Sequence, residues 1–148
     1  MAGIVCAVRG GPDSHPTIQR ALALGREQNL PVYFLYVVNL DFLAHTSSKR
    51  LKTAKEEMRK LGEFILLKAQ KQADVSGVKA ESITREGKVR EEILQLCKEK
   101  QADFAILGHQ SSDVENNVFS QQQFQQFIQR LEKETGVKVV ISEEVTGE

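Results

Sequence analysis

An excess of charge of one sign is the first thing this sequence lacks. Lys and Arg total 20, Asp and Glu total 20, and the formal net charge over 148 residues is zero. A dedicated nucleic-acid binder ordinarily carries a strong basic excess, so no nucleic-acid partner is expected. Cysteine is scarce. Cys6 and Cys97 lie far apart and form no CxxC pair, which argues against a disulfide scaffold and a Cys-based zinc site. A reducing, cytoplasmic location is the plain expectation. No apolar run approaches bilayer-spanning length, so no membrane partner is expected. The segment Met1 to Gly10 has no charged leader before an apolar stretch, so no secretory signal is expected either. Tandem repeats and linkers are also missing. At 41% hydrophobic and 27% charged residues, the chain suits one domain over 1–148, able to build a single core without staples.

Five short apolar runs alternate with helical patterns. Ile4-Val5-Cys6-Ala7-Val8 is continuous and partly β-branched, then stops at Gly10-Gly11-Pro12. That is the signature of a strand buried on both faces. Ser14 stands as an N-cap, and Ile18, Ala21, Leu22 and Gly25 follow at helical spacing. Pro31 to Val38 is the second strand, and Asn39 to Ser48 a loop. Lys49 to Gln72 carries Leu51, Ala54, Met58, Leu61, Ile65 and Ala69 on one helical face, with Ser76-Gly77 as its end. Val78 to Thr84 alternates and suits a sheet edge, with Gly87 as a break. Val89, Ile93, Leu96 and Cys97 mark a third helix. Asp103 to Gly108 is a fourth strand, followed by a polar loop from His109 to about Phe119. Ser120 and Gln123 have capping-box spacing. Phe124, Phe127, Ile128 and Leu131 give a fourth helical face between glutamines, closed by Gly136. Val137 to Ile141 is the last strand, and an acidic tail follows Ser142. Alternating strands and helices predict a parallel sheet with helices on both faces.

In an open α/β sheet, ligands bind beyond the carboxyl ends of the strands, where strand order reverses. Two loops therefore matter. The first reads Arg9-Gly10-Gly11-Pro12-Asp13-Ser14-His15, and the second Gly108-His109-Gln110-Ser111-Ser112-Asp113.

These pieces resemble the universal stress protein (UspA-like) family. Val8-Arg9-Gly10-Gly11-Pro12-Asp13-Ser14 stands where the family's first strand ends near V-D-G-S, with Arg20-Ala21-Leu22-Ala23-Leu24 downstream. Tyr36-Val37-Val38 matches an H-V-V strand end. Asp103-Phe104-Ala105-Ile106-Leu107-Gly108 matches D-L-I-V-M-G, and Val137-Lys138-Val139-Val140-Ile141 the final strand. The resemblance covers nearly the whole chain. It implies an adenine nucleotide alpha hydrolase-like fold, with a five-stranded parallel sheet in the order 3-2-1-4-5.

Many family members bind ATP through G-x-x-G-x9-G-[ST] after the fourth strand. Glycines there let the backbone approach phosphates, and helix-start N–H groups answer the charge. This chain keeps Gly108. Ser111 takes the second glycine's place, and Gln121-Gln122 or Phe119-Ser120 the later pair. Arg9 replaces the family's acidic residue that faces adenine, and a donor-only cation cannot accept the adenine amino hydrogen bond. Set against the family, this chain is expected to lack family-type ATP binding and to have no cofactor, ATP or AMP being the disfavoured possibility. The candidate remnant site is Arg9, Gly10, Gly11, Ser14, Val38, Gly108, His109, Ser111 and Ser120. The role the resemblance implies is a non-enzymatic stress-response or regulatory module with a protein partner.

Two alternatives stay open. The loops after strands one and four could still take a nucleotide or another anion, with His15 and His109 near Arg9. Gly10-Gly11-Pro12-Asp13-Ser14 also resembles the S-G-G-x-D-S loop of PP-loop ATP pyrophosphatases, with Arg9 in place of the first serine, which would imply a small ATP-hydrolysing enzyme. Neither a Ser-His-Asp arrangement nor a metal-ligand spacing supports catalysis. The basic start of the second helix reads as a solvated face. The last strand, through Val137, Val139 and Ile141, is expected to be a sheet edge, and the family commonly dimerises there.

Overall fold

A computed structural model describes residues 3–9, 14–39, 48–108 and 118–142. Its elements are β1 (Ile4–Val8), α1 (Ser14–Gln28), β2 (Val32–Asn39), α2 (Ser48–Ser76), β3 (Ala80–Gly87), α3 (Val89–Lys100), β4 (Phe104–Gly108), α4 (Val118–Thr135) and β5 (Lys138–Ser142). The strands form one sheet in the order β3-β2-β1-β4-β5, every neighbouring pair parallel. Each parallel step needs a crossover, and the helices supply it. The predicted fold class and strand order are the observed ones.

Strand periodicity divides the core in two. In β1, Ile4, Cys6 and Val8 face the layer of α1 and α2, with Phe34, Tyr36, Leu22 and Ala69. Val5 and Ala7 face the layer of α3 and α4, with Leu35, Leu94, Leu107, Phe127 and Leu131. Both faces are covered, which is why β1 reads as an unbroken apolar run. Each large side chain buried this way contributes about 1.5–3 kcal/mol. Gly136 ends α4 at φ +78, a left-handed conformation glycine adopts without a Cβ penalty, and its N–H donates to the Glu132 carbonyl.

Several boundaries differ from the sequence expectation. The second helix ends at Ser76 as expected, but its apolar stripe runs past Gln72 to Ala73, which is fully buried. The third strand is Ala80–Gly87, shifted toward its C-terminus, because it pairs with β2 along the whole length from Val32 to Asn39. It is an edge, and it alternates half-buried with exposed positions. Helix α4 starts at Val118, so Ser120 lies inside it and does not cap it. Val137 precedes β5 and is buried in the α3–α4 layer, so it belongs to the core and not to the sheet edge.

Candidate functional site

The sheet order reverses between β1 and β4, and the carboxyl ends of these strands lie side by side. Around that point the described residues leave a cleft of about 530 Å³. Its floor is the end of the sheet, from Ala7 and Val8 of β1 with Arg9 just after it, Leu35 to Val37 with Asn39 of β2, and Leu107 with Gly108 of β4. Met58 closes one side from α2. Arg90 and Ile93 of α3, with Phe124 and Phe127 of α4, close the other.

The floor is tightly built under Gly108. A Cβ placed on Gly108 would stand 3.2 Å from Thr17 Oγ1 and 3.7 Å from Arg9 Nη2. Thr17, in the first turns of α1, is fully buried, and its hydroxyl lies 2.7 Å from Ser142 Oγ at the end of β5. Ser142 Oγ also donates to the Leu107 carbonyl at 3.4 Å. The end of β4 is thus held by the Ser142 hydroxyl, which Thr17 of α1 holds in turn, and the Arg9 guanidinium lies beside Gly108.

The walls are apolar and aromatic. Tyr36 is buried, and burial raises its phenol pKa, so it stays neutral at physiological pH. It packs directly beneath Gly62 of α2. A Cβ on Gly62 would fall 2.3 Å from a Tyr36 ring carbon, so glycine at that helical position allows the approach. Arg90 stands at the first turn of α3, its guanidinium 5.6 Å from the Phe127 ring centre and within 3.5 Å of the Gln123 carbonyl. Arg9 and Arg90 are the charged side chains among the described lining residues, and no described lining residue is a carboxylate.

The candidates named from sequence separate into four sets. Arg9 and Gly108 line the cleft together. Val38 does not. It is fully buried in the α1–α2 core, whereas Tyr36 on the same face of β2 and Val37 and Asn39 on the other line the cleft. Ser14 opens α1 and Ser120 is the third residue of α4. Gly10, Gly11, His109 and Ser111 lie outside the described residues, so the meeting of His15 and His109 does too. His15 itself is exposed in the first turn of α1.

Arg90, Phe124, Phe127, Met58 and Tyr36 were not singled out as site residues. Met58, Phe124 and Phe127 carry the apolar periodicity of α2 and α4 and Tyr36 lies in an apolar strand, which reads as core, while Arg90 carries no signal beyond a charge in the first turn of α3. Only the packing of those helices beside the strand ends makes these residues a cleft wall.

Around the site, ion pairs tie helices to the sheet. Lys55 and Arg59 of α2 both hold Glu86 at the end of β3, and these cations, Lys55 foremost, keep its carboxyl below the ordinary value. Arg85 grips Glu99 through two hydrogen bonds of 2.7 and 2.6 Å, which raises the guanidinium pKa further. Arg130 of α4 joins Glu91 and Glu134. Both cysteines are buried, and burial pushes their thiol pKa values up, that of Cys97 to about 12. A thiolate nucleophile is therefore unavailable at either position. Among the described residues, no three His, Cys, Asp or Glu side chains cluster closely enough to hold a metal ion. No described helix is long and apolar enough to cross a membrane.

Comparison with known proteins agrees with this architecture. A search of curated protein sequences finds no relative of this chain. Among solved structures, the hypothetical protein MJ0577 superposes with a TM-score of 0.77 at 14% identity, over 97% of each chain. Universal stress protein UspA from Lactobacillus plantarum gives 0.72 at 12% identity, over 96% of this chain and 97% of that one. A universal stress protein in complex with cAMP gives 0.68 at 16% identity, over 96% and 97%. At such identities the likeness speaks for the fold alone. The model of the universal stress protein family matches residues 2–130, most of the chain. The chain belongs to the universal stress protein family.

Proposed function

We propose that this chain is a non-enzymatic regulatory or stress-response member of the family, one domain over 1–148, in which family-type ATP binding is lost. The observation that carries this reading is the placement of Arg9 beside Gly108, the one motif glycine retained after the fourth strand, at the end of the sheet. Arg9 offers only donors where an adenine amino group needs an acceptor. Cytoplasmic location, a homodimer through β5 and an unidentified protein partner belong to the same reading.

A second reading has its own support. The cleft carries Arg9 and Arg90 over apolar and aromatic walls, without a described carboxylate. That chemistry suits an anion with a flat or apolar body, and a structural neighbour holds cAMP. The chain would then be a binding module for a nucleotide or another anion.

Thermal unfolding with and without about millimolar ATP, AMP and Mg²⁺ separates the readings, since a ligand at about 100 times its Kd adds about 2.7 kcal/mol of stability. An unchanged melting temperature supports the module without nucleotide. A rise without turnover supports the binding module. Release of phosphate or pyrophosphate would overturn both in favour of a small ATP-hydrolysing enzyme.

A further inference from the structure

The four large hydrophobic residues that stand exposed in the described chain all lie on α2. They are Leu61, Phe64, Leu67 and Val75, exposed by 47%, 59%, 55% and 90%. Helix α2 buries its opposite side, with Met58, Ile65, Leu66, Ala69 and Ala73 packed on the sheet. An ordinary surface helix places its polar residues on the far side. Here the outward pole carries Phe64 instead, with Leu61 and Leu67 at its flanks.

The polar residues around this ridge are mostly cations. Lys60, Lys68 and Lys71 lie four residues before, four after and seven after Phe64, on the same outward face, and all three are exposed. Lys68 Nζ stands 5.5 Å from the Phe64 ring centre. Lys49 and Arg50 continue the charge at the start of the helix, while Glu57 and Glu63 are the nearest acids. Along Ser48–Ser76, eight residues are Lys or Arg and four are Asp or Glu, a net of +4. The whole chain is neutral, so the other elements carry the balancing negative charge.

We propose that the outer face of α2 docks on an anionic lipid bilayer surface, lying in the interface with Phe64, Leu61 and Leu67 inserted. A convex ridge of aromatic and aliphatic tips beside lysines fits that environment. The tips enter the acyl boundary, while the long lysine stems let their ammonium groups reach the headgroups. A protein groove would have to strip water from Lys60, Lys68 and Lys71 beside the same ring. A second copy of α2 would set Lys60, Lys68 and Lys71 against the same three lysines. Anionic headgroups answer both the apolar tips and the cations, and each lysine near such a surface strengthens binding about fivefold.

The test is flotation of the full chain with vesicles of phosphatidylcholine alone or with about 30% phosphatidylserine. Binding to the anionic vesicles only, released as salt rises from about 0.1 M to about 1 M, is expected. Phe64→Ser with Leu67→Ser is expected to cut binding by about tenfold or more, and Lys68→Glu with Lys71→Glu by at least as much. All four residues are surface-exposed, and an unchanged circular dichroism spectrum checks that the variants fold. Three results would overturn the proposal. One is no binding to anionic vesicles. Another is binding that the two double variants leave intact. The third is a solution mass above the monomer that Phe64→Ser lowers while vesicle binding is nil, which would assign the ridge to a protein contact.

Discussion

Thr17 Oγ1 and Ser142 Oγ lie 2.7 Å apart, both buried, although 125 residues separate them in sequence. The contact pins the first turns of α1 to the end of β5 directly beneath Gly108. Replacing Thr17 with valine keeps the volume and removes the hydroxyl. A loss of about 1 kcal/mol is expected in urea unfolding, and a similar loss for Ser142→Ala. The double variant should cost less than the sum of the two, because both substitutions remove the same bond. Strict additivity would mean that the two hydroxyls are not coupled.

Gly62 is a test of how closely α2 approaches the site. Alanine is the better helix former by about 1 kcal/mol, so an unconstrained position would gain from Gly62→Ala. Here the new methyl would meet the Tyr36 ring at 2.3 Å. A net loss of about 1–3 kcal/mol is expected from the forced shift. A midpoint of denaturation that rises would show that the helix can move away freely.

The edge strand β5 makes a sharper prediction about self-association. The Val139 N–H, which points away from β4, donates to a Glu132 carboxylate oxygen at 3.3 Å. That side chain therefore blunts the edge on which a β5-mediated dimer would form, as charged side chains commonly do. Glu132→Ala should strengthen dimerisation, and Val139→Pro should abolish it, both read as mass by light scattering. A mass indifferent to both substitutions would remove β5 from the interface.

Acid sensitivity follows from the ion pairs. Glu86, Glu91, Glu99 and Glu134 are each held below the ordinary 4.5, chiefly by hydrogen bonds from Lys55, Arg130, Arg85 and Arg130 respectively. A carboxylate depressed in the folded state binds protons more readily when unfolded. Its stabilisation is complete above the ordinary value and disappears as pH falls through the folded value. The melting temperature should stay level from about pH 7 to about pH 5 and drop below about pH 4. Changing the four glutamates to glutamine should flatten that drop. These groups are exposed, so added salt should weaken the effect as well.

The buried thiols of Cys6 and Cys97 should resist alkylation at about pH 8, where free cysteine is partly thiolate. Both should label at once in denaturant, counted by mass spectrometry. Labelling of the folded chain at Cys97, whose pKa stands at about 12, would indicate local opening of α3.

The sequence by itself determined the layered α/β architecture. Five short apolar runs, each separated by a helix-length amphipathic stretch, leave a parallel sheet covered on both faces as the consistent solution. Gly136 and the edge character of the third strand were legible for the same local reasons, φ preference and alternation. Arg9 and Gly108 were legible because loops after strands at a topological switch point lie together whatever the side chains are.

Tertiary structure decided the rest. Which residues of β2 reach the cleft depends on what packs over each of them. Val38 is fully covered in the α1–α2 core, while Tyr36 on the same face and Val37 on the other reach the cleft. Ser120 looked like a cap until Val118 proved to start the helix, since spacing alone does not fix where a helix begins. Phe124 and Phe127 carry core-like periodicity and Arg90 reads as an ordinary helix-surface charge; they become cleft walls only because α3 and α4 pack beside the strand ends. The outward ridge of α2 was equally hidden. Leu61 fitted the apolar stripe by spacing, and packing against the sheet decided which stripe was buried and which was left to face the solvent.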